Sequence, residues 1–136
     1  MVLAREDLFA EYEAAIVSAC DPNASNELAW SDPALFCALR GQAGLVLTAW
    51  NPGFARPTLA INEAKNQQML AAIQAKGFEI WPAECASPDG QFREPGFLVW
   101  AMPVELGARL AAEFEQLAIY AYSDDGERSI VACGPA

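Results

Sequence analysis

The fold is decided by the stretch LVLTAW at Leu45–Trp50, which shows no alternation between apolar and polar residues. Such a run is typical of a strand that is buried on both faces in the middle of a sheet. Phe97–Met102 is a second run of the same kind. The sequence therefore predicts that these two runs form adjacent central strands.

Helices and further strands are predicted around the two runs. Asn51-Pro52-Gly53 breaks the first strand, and Ser87-Pro88-Asp89-Gly90 is a turn within the loop Pro82–Gln91. From Leu45 to Tyr122 the predicted order is strand, helix, strand, strand, helix, strand, which matches the split βαβ, or ferredoxin-like, arrangement. The remaining elements are a helix from Thr58 to Gly77, a half-buried or edge strand Phe78–Trp81, a helix from Pro103 to about Gln116, and a strand Leu117–Tyr122.

Additional elements are predicted on both sides of this unit. Asp7 is a plausible cap for a helix from Leu8 to about Ala19. Leu35–Arg40 is predicted to pair as a hairpin with Leu45–Trp50, and Arg128–Cys133 is predicted as a last strand. In the split βαβ order both positions beside Leu45–Trp50 belong to other strands, so a hairpin partner there would conflict with that order. The strand order therefore stays open. The expected fold is one α+β domain over residues 1–136, with an added N-terminal helix and extra antiparallel strands.

Composition and charge limit the classes of function. The chain has 136 residues, of which 54% are hydrophobic, and a formal net charge of −10. An acidic surface repels phosphate groups, so we expect binding to neither nucleic acid nor anionic membranes. We recognise no export signal and no transmembrane run. The four cysteines form no CxxC pair and there is no histidine, so we expect free thiols, no zinc and a cytoplasmic location.

The split βαβ order would bring polar side chains together at one end of the sheet. The C-terminal ends of the first two strands would meet the N-terminal ends of the last two at that end, together with the start of the helix near Thr58. The expected site contains carboxamides, a carboxylate and an indole, a combination suited to a small polar ligand. Its predicted members are Trp50, Asn51, Asn62, Asn66, Glu94 and Gln116, with Trp81 and the segment Pro82–Glu84 at the same rim.

Each of these residues has a functional and a structural interpretation. Functionally, Glu94 is the candidate general acid or base, and Asn51, Asn62 and Gln116 could orient a ligand or stabilise an oxyanion. Structurally, Asn51 could form the turn before Pro52 and cap the following loop, and Trp50 could belong to the core. The asparagines at 62 and 66 could satisfy backbone groups of the loop 51–56, and Gln116 could cap helix carbonyls. The Glu94 carboxylate could accept hydrogen bonds from loop amides or pair with Arg93 or Arg56.

The sequence also leaves the class of function open. No activated nucleophile is evident, because nothing near Cys85 would ionise it, and the glycine-rich motif of a phosphate-binding loop is missing. We therefore expect no cofactor. An alternative to a ligand-binding domain is an interaction module, in which Phe78–Trp81 or Arg128–Cys133 pairs as an edge strand with another protein or with a second copy of the chain. An acidic mimic of nucleic acid is disfavoured because the acidic residues are scattered.

The chain resembles an uncharacterised bacterial family that is classed as a domain of unknown function. The resemblance rests on TAWNP at Thr48–Pro52, the pair Asn62 and Asn66, Glu94-Pro95 before FLV, and QLAI starting at Gln116. Cys85 stands near a position where the family usually has glycine, and Gly96 stands where it usually has serine. The resemblance strengthens the choice of site residues and implies no reaction.

Overall fold

The two apolar runs lie side by side in the middle of one antiparallel sheet. The computed structural model describes residues 5–24 and 29–134, except for the side chains of residues 5–9 and 54. Strand β3 (Gly44–Leu47) pairs with strand β5 (Arg93–Trp100), with Leu45 opposite Val99. All four residues of β3 are buried. The predicted adjacency of the two central strands is therefore confirmed.

The described residues form four α-helices and a seven-stranded sheet. The helices are α1 (Arg5–Ala14), α2 (Pro33–Arg40), α3 (Leu59–Ala75) and α4 (Val104–Glu113). The other strands are β1 (Ile16–Cys20), β2 (Trp30–Ser31), β4 (Ile80–Ala86), β6 (Ala118–Tyr122) and β7 (Arg128–Ala132). The strand order is β2-β1-β4-β5-β3-β6-β7, and every pair is antiparallel. No described helix is long and apolar enough to cross a membrane.

The four central strands have the split βαβ order. Across the sheet these strands lie in the order β6-β3-β5-β4. Along the chain, α3 follows β3 and α4 follows β5. Strands β1 and β2 extend the sheet on one side, and β7 extends it on the other. The α+β class, the ferredoxin-like order and the additional N-terminal helix and strands are confirmed.

The predicted strand at Leu35–Arg40 is wrong, because this segment is helix α2. Asp32 caps the helix, since its side chain accepts a 2.9 Å hydrogen bond from the amide of Ala34. Pro33 occupies the first turn, where its missing N–H and fixed φ favour a helix. The short apolar run fits either structure, and the Asp-Pro cap decides it. Because α2 needs no position in the sheet, the conflict over strand order disappears.

The predicted helix up to Ala19 is too long at its C-terminal end. The helix ends at Ala14, and Ile16–Cys20 forms β1, which pairs with β4. Val17 and Ala19 point into the core, whereas Ile16 is 56% exposed and cannot belong to a buried helical stripe. Pairing with β4 overrides the helical spacing. Asp7 lies inside α1 and does not cap it.

The strand predicted at Phe78–Trp81 is present from Ile80 onward and is half-buried, but its alternative placement at the edge of the sheet is wrong. Strand β4 lies between β1 and β5 and continues to Ala86, through part of the predicted loop. Pro82 is tolerated because the pairing of β1 with β4 ends at Ala83, so proline's missing amide breaks no bond on that side. The turn at Ser87–Gly90 is present, with a 2.9 Å hydrogen bond from the Gly90 amide to the Ser87 carbonyl.

Both faces of the sheet carry a hydrophobic core. Helices α3 and α4 cover one face, where Leu47, Met69 and Leu110 pack together. The other face packs against α1 and α2 through residues that include Tyr12 and Phe36. Trp81 belongs to this second core: it is buried and lies edge-on to Trp100, with ring centroids 5.0 Å apart. It therefore does not lie at the rim of the predicted site.

Candidate functional site

The loop that follows β3 is organised by two asparagines. Asn51 has a left-handed backbone (φ 47°, ψ 62°), a conformation that asparagine adopts more readily than most residues. Its amide N–H donates a 2.9 Å hydrogen bond to Oδ1 of Asn62, in the first turn of α3. In return, Nδ2 of Asn62 donates a 2.9 Å bond to Oδ1 of Asn51. This reciprocal pair fixes both the backbone and the side chain of Asn51.

The carboxamide of Asn51 holds the carboxylate of Glu94. Nδ2 of Asn51 donates a 3.0 Å hydrogen bond to Oε1 of Glu94, and no described residue donates to the other oxygen, Oε2. Glu94 is half-buried, and burial raises the pKa of its carboxyl above the usual value, an effect that Asn51 and Arg56 partly offset. The carboxyl group is thus fixed through one oxygen and has the other oxygen available.

Asn66 has a structural role in the same region. Its Oδ1 accepts a 2.8 Å bond from the amide of Ala49, and its Nδ2 donates a 2.9 Å bond to the carbonyl of Pro95. Thr48 makes a parallel link, because its hydroxyl donates to the Pro95 carbonyl at 2.7 Å and accepts from the Trp50 amide at 3.0 Å. Both side chains tie the end of β3 to the start of β5.

Gln116 attaches the loop to the end of α4. Its Nε2 donates a 3.1 Å hydrogen bond to the carbonyl of Trp50 and a longer one, 3.5 Å, to that of Phe114. The amide of Gly53 donates to the carbonyl of Glu115 at 2.9 Å. The interpretation of Gln116 as a cap for carbonyls therefore agrees with its contacts.

A cavity of about 950 Å³ lies beside this network, on the face of the sheet that packs against α1. A pocket of this volume can enclose a small molecule. Val46, Gln116 and Tyr120 are buried members of its lining, whereas Arg56 and Phe92 are exposed. Three of the six predicted site residues line the cavity: Asn51, Glu94 and Gln116. The other three, which are not among its described lining residues, are Trp50, Asn62 and Asn66.

Two tyrosines from distant parts of the chain form one wall. The hydroxyl of Tyr120 on β6 donates a 2.7 Å hydrogen bond to the carbonyl of Tyr12 on α1, and the ring centroids are 5.6 Å apart. Arg128 on β7 also donates to the carbonyl of Glu13 at 2.9 Å, which further fixes α1. Burial raises the pKa of both phenols, so the two tyrosines stay neutral at physiological pH.

Cys85 faces the cavity from β4, directly opposite Glu94 in the β4–β5 register. Burial raises the pKa of its thiol to about 12, and the nearby carboxylates of Glu94 and Glu84 add to this effect. A nucleophilic cysteine needs the opposite environment, one that stabilises a thiolate. At neutral pH Cys85 therefore contributes a neutral thiol to the wall.

The arginines near Glu94 are arranged differently from the predicted ion pairs. Arg93 pairs with Glu84. The guanidinium of Arg56 lies over the ring of Phe92, 4.8 Å from its centroid. In the described part of the chain Arg56 forms no ion pair, although its charge lowers the pKa of Glu94. Glu94 and Arg56 thus line one cavity without meeting each other.

Several lining residues were not predicted as site members. They include Tyr12, Thr48, Arg56, Cys85 and Tyr120. Thr48 could have been identified from its place in TAWNP. Tyr120 has no such signal, because all five residues of its strand are buried and no alternation singles it out. Tyr12 and Arg56 carry no local signal, because the first reaches the site through the crossing of α1 and the second lies in an irregular loop.

Neither the curated proteins nor the solved structures compared with this chain include a significant match. A family model matches residues 47–119, which is more than half of the chain. The matched segment runs from the end of β3 into β6 and contains Asn51, Asn62, Glu94 and Gln116. The chain belongs to the family described as "Protein of unknown function (DUF3293)".

Proposed function

We propose that the cavity binds a small polar molecule and that Glu94 is the group that meets its polar or reacting atom. One observation carries this proposal: a half-buried carboxyl lines a cavity of about 950 Å³ while one of its oxygens is held by Asn51. Here Oε2 accepts no hydrogen bond from the described residues and is free to serve a ligand.

The environment of Glu94 suits acid or base work. Burial raises the pKa of the Glu94 carboxyl above its usual value. A general acid or base is most effective when its pKa lies close to the working pH, so a raised pKa favours this role. The other carboxyl groups of the described lining, Glu11 and Asp89, are exposed, the chain has no histidine, and the thiol of Cys85 has a raised pKa. In this proposal Glu94 is the catalytic group if a reaction takes place. Asn51 and, through it, Asn62 are positioning residues.

The remaining predicted residues fit the proposal in different ways. Gln116 lines the cavity and is buried, so its carboxamide oxygen is a candidate acceptor for the ligand. Asn66 uses its oxygen and its amide group on backbone partners and supports the loop without facing the cavity. Trp50 contributes its carbonyl and amide to the loop contacts, and a ligand-binding role for its indole stays a prediction.

The proposal can be tested by thermal-shift screening of small polar metabolites: sugars, nucleosides, organic acids, amines and amino acids. A ligand should raise the melting temperature of the wild type, and this rise should be lost in Glu94→Gln. Glu113→Gln is the matched control, because Glu113 is an exposed residue of α4 that does not line the cavity. Compounds that stabilise all three proteins equally, or a screen in which no compound stabilises the wild type, would contradict the proposal.

A second function, association through an edge strand, is favoured by the position of β7. This strand is the last of the sheet and is paired with β6 only. The Cys133 amide donates to the Leu117 carbonyl, so by strand alternation the Ala132 amide points away from β6. Ala132→Pro would therefore remove an outward donor and preserve the ladder to β6.

Sedimentation velocity over a range of protein concentrations tests this second function. A dimer that Ala132→Pro converts to a monomer, with an unchanged melting temperature, would support pairing through β7. A monomer at all concentrations, in both proteins, would exclude a homodimer formed in this way.

A further inference from the structure

The described lining of the cavity carries charged groups of both signs. Among the described lining residues four are charged: the acids Glu11, Asp89 and Glu94 and the single base Arg56. Glu94 is half-buried, whereas the other three are exposed. The cavity thus presents an inner carboxyl group and, among its described lining, one outer guanidinium group.

The oppositely charged side chains of Glu94 and Arg56 are each held by a different neighbour. Glu94 is fixed by Asn51 through Oε1, and Arg56 is stacked over Phe92. They are close enough for Arg56 to lower the pKa of Glu94, yet they form no ion pair. Because the carboxylate and the guanidinium line the same cavity without pairing, each is available to a ligand. A ligand that carries one positive and one negative group could contact both.

Apart from its charged residues, the lining contains apolar and aromatic side chains. The rings of Tyr12 and Tyr120 belong to the lining, together with Val46 and Ala118. The lining thus combines apolar walls with a few polar groups that fix orientation, as small-molecule sites do. A bound aliphatic or aromatic group would be sheltered from water there.

We propose that the ligand is a zwitterionic amino-carboxylic acid with an apolar side chain, whose ammonium group contacts Glu94 and whose carboxylate contacts Arg56. This inference rests on the proposed ligand-binding function and specifies its chemical class. A dicarboxylate that spans these two groups would place a like charge against Glu94, and a diamine that spans them would place one against Arg56, so neither complements the pair. The apolar side chain lies against the tyrosines. Gln116 accepts a second ammonium hydrogen through its carboxamide oxygen.

Matched probes separate the contribution of each charge. L-Phenylalanine and L-leucine carry both charges, phenethylamine and 3-methylbutylamine lack the carboxylate, and 3-phenylpropionate and 4-methylpentanoate lack the ammonium group. Binding of all six is measured by isothermal titration calorimetry to the wild type, Glu94→Gln and Arg56→Gln. Arg109→Gln and Glu113→Gln are controls, since both residues are exposed on α4 and outside the cavity lining.

We expect at least one of the two amino acids to bind the wild type at least tenfold more tightly than its amine and its acid. In Arg56→Gln the amino acid and its amine should bind alike, whereas in Glu94→Gln the amino acid and its acid should bind alike. Equal binding of an amine and its amino acid to the wild type, or no binding of either amino acid, would overturn the inference. In that case the proposed function would still hold if another compound of the thermal-shift screen stabilised the wild type but not Glu94→Gln. If no compound did so, the proposed function would be wrong as well.

Discussion

The side chains of Asn51 and Glu94 are joined by a hydrogen bond of 3.0 Å, although they lie 43 residues apart in sequence. The backbone amide of Asn51 determines the direction of this hydrogen bond. The amide of Asn51 can only donate, so the atom of Asn62 that it meets must be the oxygen. The amino group of Asn62 then meets the oxygen of Asn51, and the amino group of Asn51 is left facing Glu94. Glu94 is therefore held as an acceptor.

Glu94→Gln should keep or raise the stability of the protein at neutral pH. The glutamine oxygen can still accept from Asn51, and the variant has no carboxylate to desolvate. Because the folded-state pKa of Glu94 is raised, the ionised carboxyl destabilises the fold. This cost is absent below the ordinary pKa and grows as pH rises through the raised pKa. Chemical denaturation between pH 4 and pH 8 should therefore show a difference from the wild type that grows with pH.

The same experiment can reveal a purely structural role for Glu94. If the variant instead loses about 1–3 kcal/mol of stability at the upper end of this pH range, where the wild-type carboxyl is ionised, the charged carboxylate would be needed for its hydrogen bonds. Glu113→Gln provides the baseline for an exposed glutamate.

Asn62→Asp should raise the pKa of Glu94 further. Aspartate can accept from the Asn51 amide but cannot donate to the Asn51 oxygen, so the Asn51 carboxamide is expected to turn its amino group toward residue 62. Glu94 would then face an oxygen atom and would need a proton to bond with it. Titration of the Glu94 side chain by carbon-detected NMR measures this shift. An unchanged titration would show that Asn62 does not control the orientation of Asn51.

Gly96→Ser should destabilise the sheet by about 1–3 kcal/mol through overpacking. A Cβ atom at Gly96 would lie 2.6 Å from the carbonyl oxygen of Leu47 and 3.2 Å from Cβ of Thr48, and the first of these is backbone. The serine that is usual at this position in the resembling family would thus require β3 to shift. Urea denaturation measures the loss, with Gly134→Ala as the control because a Cβ there meets nothing within 4 Å. Equal stability of the two variants would contradict the predicted clash.

Four free thiols should be counted when the protein is denatured without reductant. All four cysteines lie in the described part of the chain and are unpaired there. In the native protein Cys37 should react slowest, because it is fully buried whereas the other three cysteines are partly exposed. Reaction with a chromogenic disulfide in the native and denatured states gives both results. A denatured count of two or zero would indicate disulfides and overturn the expected cytoplasmic location.

The sequence alone predicted those features that depend on the residues of a single segment. Leu45–Trp50 and Phe97–Met102 identify central strands, because a strand that is covered on both faces needs apolar residues at every position. Asn62 and Asn66 stood out because they lie on the inward stripe of a helix, where a buried carboxamide needs partners. From these residues and the order of the elements, the sequence alone predicted the ferredoxin-like order and the approach of Asn51 to Glu94.

Only the tertiary structure decided features that depend on distant segments. Residues 16–20 are a strand because β4 offers them a partner, and no pattern within five residues records that partner. The cavity exists because α1 lies against the sheet, held by Tyr120 and Arg128 through its backbone carbonyls. Tyr12 and Arg56 reach the site through this arrangement and through an irregular loop. Periodicity shows which side of a segment is buried, but the neighbour that buries it is chosen by the packing of the whole chain.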